Sequence, residues 1–197
     1  MVHVNYRGST GYGRSWREAV SSGLPGHVAL QDIAAAHDHA VRAGLAHPDR
    51  CVIRGWSWGG YLALLGLGLQ PQRWAAGIAG APIADLLAAY EQQSEALRSF
   101  DDALFGGSPE EVRDRYVESS PLTHAQRISA PVLLLSGVND PRTPRGQVVN
   151  FENRLAVLGK AFERYLFDGG HGSLDVDEQM RQVVAEISFA RTHVDAC

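Results

Sequence analysis

The sequence predicts an α/β protein: a mostly parallel sheet of about five strands flanked by helices. Three observations carry this. Short β-branched, leucine-rich or aromatic runs recur at Cys51–Ile53, Pro131–Leu135 and Phe162–Phe167. Stretches with the spacing of an amphipathic or buried helix separate them. Polar, glycine-bearing loops follow the strands, and strand–helix alternation of this kind places the strands side by side and parallel.

Taken in order, Val2–Tyr6 alternates as V-H-V-N-Y and reads as a strand. Arg7–Gly13 is a glycine-rich loop leading into a short helix over Ser15–Val20. It has neither the G-K-[ST] ending of a phosphate loop nor the G-x-G-x-x-G order of a dinucleotide site. Leu30, Ile33, Ala34, His37, Ala40 and Val41 recur at helical spacing, and Gly44 ends that helix. His37 and His39 point to different faces, so they are not a metal pair. Cys51–Ile53 is a buried strand, and Tyr61–Leu69, apolar all round, is a buried helix.

Trp74–Ala81 reads as a strand of small residues, followed by a helix near Ala84–Leu97, a Gly106-Gly107 break and a polar helix near Pro109–Val117. An excursion of this length between strands suits a lid or pocket wall. After Pro131–Leu135 a helix follows with Val148, Phe151, Leu155 and Leu158 facing in. Phe162–Phe167 is the last strand. In the closing helix Met180, Val183, Val184 and Ile187 are expected to face the core, with Asp175 and Glu178 spaced as a cap. No boundary, repeat or low-complexity tract divides the chain, so residues 1–197 read as one domain.

Composition narrows the function. Hydrophobic residues make up 45% and charged residues 20%, ordinary for a globular chain, and the net charge is −4 without a long single-sign run. Nucleic acid and anionic membranes are therefore not expected partners. Two cysteines, Cys51 and Cys197, make no disulfide framework. Together with the lack of a signal-peptide pattern or a spanning apolar window, they point to a reducing, cytoplasmic setting.

The chemistry centres on Gly55-Trp56-Ser57-Trp58-Gly59, a G-x-S-x-G motif between a strand and a helix. A serine on so sharp a turn sits in a strained backbone, and side chains two residues away on either side are expected to collide, hence the glycines. The helix start aims N–H groups at the same point, so the Trp58 N–H can donate to a developing oxyanion. Polar residues at strand ends gather on one rim of a parallel sheet. Here they are Ser57, Asp140 and His171, in the order expected of an α/β-hydrolase. Serine needs a base to become a nucleophile. Histidine, with an ordinary pKa of about 6.5, is suited to that task, and an aspartate fixes its tautomer. Asp85 and Asp168 are the rival acids, and an aspartate after a strand often merely closes a turn. Tyr90 with Leu86 and Leu87, and Arg142 after the acid loop, are candidates to meet substrate, set against plain core packing and a solvated arginine.

NYRGSTGYG at Asn5–Gly13, GWSWGGY at Gly55–Tyr61, SPLTHA at Ser120–Ala125, GVNDPRTP at Gly137–Pro144 and DGGHGS at Asp168–Ser173 resemble, in order, the blocks of the prolyl oligopeptidase family of serine peptidases. The likeness is nearest to its acylaminoacyl-peptidase and dipeptidyl-peptidase branches. It implies Ser57 as nucleophile, Asp140 as acid, His171 as base, no cofactor, and cleavage of short peptides or blocked N-terminal residues. It also implies an α/β-hydrolase sheet lacking its first strands. The family's upstream loop, which carries the second oxyanion donor, and its β-propeller have no counterpart in this sequence. In the family's order one strand separates the counterpart of Val2–Tyr6 from Cys51–Ile53. Either Val2–Tyr6 slides across to pair, or an edge stays open, with self-association or a missing N-terminal segment as the consequence. A carboxylesterase or thioesterase, and a weakly catalytic fragment acting as an interaction module, are the alternative functions.

Overall fold

A computed structural model describes residues 1–194, so Cys197 lies outside the described residues. The helices are α1 (Arg14–Glu18), α2 (His27–Arg42), α3 (Trp58–Leu69), α4 (Leu86–Gln92), α5 (Glu95–Phe105), α6 (Arg113–Ser119), α7 (Pro121–His124), α8 (Arg145–Val157) and α9 (Val176–Val194). The strands are β1 (Val52–Trp56), β2 (Ala76–Gly80), β3 (Val132–Gly137) and β4 (Phe162–Phe167). Among the described residues they form one sheet in the order β1-β2-β3-β4, with every neighbouring pair parallel.

The expected fifth strand is absent: Val2–Tyr6 is irregular and does not pair. A lone extended segment gains no ladder hydrogen bonds, so alternation by itself does not make it a strand. The edge of β1 stays open. Between it and residues 1–6 lies a groove of about 610 Å³, bordered by Ile33, His37 and Ala40 of α2.

The core sits on both faces of the sheet, and alternate strand residues divide between them. On one face Ile53, Ala79, Val132 and Leu134 pack with Ala63, Leu64 and Leu67 of α3 and Val148, Phe151 and Leu155 of α8. On the other, Ala76, Ile78, Leu133 and Leu135 meet Phe189 of α9. The uniformly apolar α3 is buried along its length from Gly60 to Gly68, as a helix without a polar face must be.

Two helical expectations shift. The stretch after β2 breaks at Gln93-Ser94 into α4 and α5, and the polar helix begins at Arg113 because Ser108–Val112 is spent on turns. The closing helix turns a different face inward. Met180, Val183, Val184 and Ile187 are exposed, while Gln182 and Phe189 are buried. That rotation is fixed by Arg54 on β1, which donates to Glu186 at 3.0–3.1 Å, and by Phe189 on the sheet.

Candidate active site

Ser57 sits between the end of β1 and the start of α3 with φ 56° and ψ −119°, a region that a side chain rarely occupies. Such a residue costs about 1–3 kcal/mol and persists only where its surroundings over-determine it. Here the Ser57 N–H donates to Gly80 O (2.8 Å) and Ser57 O accepts from Tyr61 N (2.9 Å). A Cβ at Gly55 would lie 2.1 Å from Gly59 O, so glycine is obligatory there. Gly59 has open space around it, so the steric demand falls on one flank only. Because Tyr61 N opens the helical ladder, the N–H groups of Trp58, Gly59 and Gly60 precede it.

Two loops bring the rest together. His171, beyond β4, lies with Nε2 2.8 Å from Ser57 Oγ. Its Nδ1 lies 2.8 Å from Oδ2 of Asp140, beyond β3. An ionised aspartate only accepts, so Nδ1 carries the imidazole proton and Nε2 is left to accept from the serine hydroxyl.

The two oxygens of Asp140 divide their work. Oδ1 accepts from the Arg142 N–H (2.8 Å) and the Thr143 N–H (3.0 Å), closing the turn. Oδ2 accepts from His171 and from Thr143 Oγ1 (2.6 Å). Asp140 thus closes its turn and meets the His171 ring at once. Burial by itself would raise the Asp140 pKa, but the donors from His171, Thr143 and Arg142 pull it down to about 2.

The rival acids are engaged elsewhere. Asp85 caps α4 by accepting from Ala88 N (3.3 Å) and also takes Asn150 Nδ2 (2.9 Å). Asp168 accepts from Asn139 Nδ2 (3.3 Å). Of the substrate candidates, Tyr90 donates its hydroxyl to Asp102 (2.9 Å) and packs edge-on against Tyr116. Leu86 is core. Arg142 contributes its backbone to Asp140 and leaves its side chain exposed. A smaller cavity of about 220 Å³, walled by Tyr6, Val20, Trp58, Phe100 and Leu104, opens beside the residue after the serine.

Two contributors were not found from the sequence. Thr143 lay in plain sight, three residues past an aspartate, where an Asx turn is common. Trp56 donates its indole N–H to His171 O at 2.9 Å across 115 residues, a contact with no local signature. Among the described residues no group of three or more His, Cys, Asp or Glu is placed to hold a metal ion, and no helix is long and apolar enough to cross a membrane.

Comparison with known proteins finds relatives over most of the chain. The acylamino-acid-releasing enzyme of Arabidopsis thaliana is 30% identical over 189 residues, covering 87% of this chain and 23% of that protein. Dipeptidyl aminopeptidase BIII of Pseudoxanthomonas mexicana is 30% identical over 177 residues, covering 87% of this chain and 26% of its own length. The chain therefore spans about a quarter of these curated relatives. Among solved structures, a puromycin-hydrolyzing peptidase of Mycobacterium tuberculosis superposes with a TM-score of 0.90 at 34% identity, over 96% of this chain and 29% of that one. The model of the prolyl oligopeptidase family matches residues 1–197, and the chain belongs to that family of serine peptidases.

Proposed function

We propose that this chain is the catalytic core of a serine peptidase that cleaves short peptides or blocked N-terminal residues through an acyl-enzyme on Ser57. The observation that carries the reading is the unbroken relay Ser57 Oγ–His171 Nε2 and His171 Nδ1–Asp140 Oδ2, each link 2.8 Å.

In the first step Ser57 Oγ attacks the scissile carbonyl carbon while its proton passes to His171 Nε2. The carbonyl electron pair moves onto oxygen, and the Trp58 N–H at the helix start faces that oxyanion. The pair returns as the C–N bond breaks, and the imidazolium hands its proton to the departing amine. Water then attacks the ester carbon, giving its proton to Nε2, and the imidazolium returns that proton to Ser57 Oγ as the C–Oγ bond breaks and the acid leaves. Asp140 stays ionised throughout and stabilises the imidazolium.

The cavity beside Trp58 suits an apolar or aromatic side chain, and the peptide-cleaving reading is supported by relatives named an acylamino-acid-releasing enzyme, a dipeptidyl aminopeptidase and a puromycin-hydrolyzing peptidase. In this reading the exposed Arg142 meets a substrate carbonyl or carboxylate, while the Tyr90 hydroxyl is already donated to Asp102. Free Cys51 fits action in a reducing compartment, the cytoplasm.

Treatment of the purified chain with a fluorophosphonate probe tests the triad: labelling is expected at Ser57 and lost in Ser57→Ala. Side-by-side assay of an aminoacyl anilide and an aryl ester tests the peptidase assignment. Ester turnover alone would make the chain a carboxylesterase or thioesterase, and a folded chain that takes no label would favour an interaction module built on the open β1 edge.

A further inference from the structure

His171 is held in a segment, Asp168-Gly169-Gly170-His171-Gly172, whose own sequence gives it little stiffness. Upstream it is pinned by Val138 N on Phe167 O (3.1 Å) and Asn139 N on Gly169 O (3.0 Å). At His171 itself the backbone is met by one side chain from the far side of the sheet. Trp56, the last residue of β1 and the neighbour of the nucleophile, donates its indole N–H to the His171 carbonyl at 2.9 Å.

Two bare positions make this reach possible. Trp56 stands in register with Gly80 on β2, and a Cβ at Gly80 would lie 2.0 Å from the indole ring. The indole therefore crosses the neighbouring strand where that strand has no side chain, and it ends against Phe167, with ring centroids 6.2 Å apart. On β3, a Cβ at Gly137 would lie 2.0 Å from Gly170 O, so the histidine loop settles onto that strand for the same reason.

Resting on the hydrolase reading above, we propose that Trp56 is a positioning residue for the base, its indole fixing the His171 backbone so that Nε2 stays within reach of Ser57 Oγ. Asp140 restrains the imidazole only at Nδ1, which leaves the ring free to swing about that bond if the loop drifts. The carbonyl pin supplies the second fixed point. It rises from the residue that precedes the nucleophile, so Ser57 and His171 are referenced to the same strand end. An indole has few rotatable bonds, so it holds this distance at low entropic cost. Packing alone would explain the ring's partial burial, but not the direction of its N–H.

The test separates ring from hydrogen bond. Trp56 is replaced by β-(3-benzothienyl)alanine, which keeps the bicyclic shape and puts sulfur where the N–H was. Trp56→Phe serves as a second variant. In the isostere the rate of fluorophosphonate labelling at Ser57 is expected to fall about tenfold, short of the ~10²-fold that a 1 Å misplacement costs. The melting temperature should stay close to wild type, and backbone amides of Gly170–Ser173 should exchange faster. Wild-type labelling and unchanged exchange in the isostere would overturn the proposal, as would a slower rate seen only with loss of folded structure. If the wild-type chain takes no label, the hydrolase reading falls. The exchange comparison then still decides whether Trp56 fixes the His171 backbone: faster exchange supports it, and unchanged exchange ends it.

Discussion

Asp140 has four donors on two oxygens, and this saturation sets both its charge and its direction. A carboxyl whose folded pKa is depressed adds stability above its unfolded pKa, near 3.9, and loses it as pH falls through the folded value. For Asp140 that value is about 2, so its contribution is complete above roughly pH 4 and vanishes below about 2. Asp140→Asn should flatten acid unfolding across that window, measured by circular dichroism, and lower the labelling rate at Ser57 by about 10⁴ by presenting the wrong partner to Nδ1. Thr143 is the neutral member of the set. Thr143→Val leaves buried Oδ2 short of a donor, a loss of about 1.5–3 kcal/mol for a bond to a charged group. Calorimetry should show a clear drop in melting temperature that Thr143→Ser largely restores. An unchanged melting point in the valine variant would mean that water replaces the hydroxyl.

At the scale of elements, the α4–α5 hairpin carries a buried carboxyl that the catalytic site does not use. Desolvation pushes Asp101 up to about 6, against the opposing donor from Gln93 and with help from the Asp102 charge. Here the sign is reversed. The folded state prefers the protonated form, so stability falls as pH rises from about 4 to about 6 and stays lower above. Asp101→Asn keeps an acceptor for Gln93 and removes the charge. At pH 7.5 it should gain on the order of 1 kcal/mol, about 2–4 °C in melting temperature for a chain of this size, with no gain at pH 4. Equal shifts at both pH values would show that packing, not charge, is responsible. The elements themselves were largely legible. The runs at Cys51–Ile53, Trp74–Ala81, Pro131–Leu135 and Phe162–Phe167 all became strands, because short apolar or aromatic segments bounded by loops are too brief for a helix and find neighbours in the sheet. Ser57, Asp140 and His171 were legible as strand-end polar residues. Thr143 and Trp56 were not, because their roles depend on partners brought in by the fold. Val2–Tyr6 failed for the same reason in reverse: its pattern was right, but no strand lies beside it. On α9 two apolar stripes competed, and spacing did not reveal that Arg54 would claim the Glu186 side.

The whole molecule inherits a consequence from that rotation. One face of the sheet is covered by α3 and α8, with α2 packed behind α3, whereas among the described residues the core on the other face takes one buried helical residue, Phe189 of α9. Val176, Met180, Val183, Val184 and Ile187 then form a continuous exposed stripe at helical spacing, with Leu174 fully exposed just before it. An apolar surface this extended is an association liability in water. Val183 and Ile187 lie along α9 and not on the loops that carry Ser57, Asp140 and His171, so changing them should leave Ser57 undisturbed. Val183→Gln combined with Ile187→Gln replaces β-branched residues by better helix formers, so α9 should not weaken. The double variant should remain monomeric in light scattering at concentrations where the parent chain associates, with labelling at Ser57 unchanged. A drop of several degrees in melting temperature would mean that this stripe is packed in solution and that the helix sits with its other face outward. An intact melting point with undiminished association would move the liability to the open edge of β1. There, substitution of the exposed Arg54 would be uninformative because it holds Glu186, and proline at Val52 would become the discriminating change, since proline removes the N–H that an added strand needs.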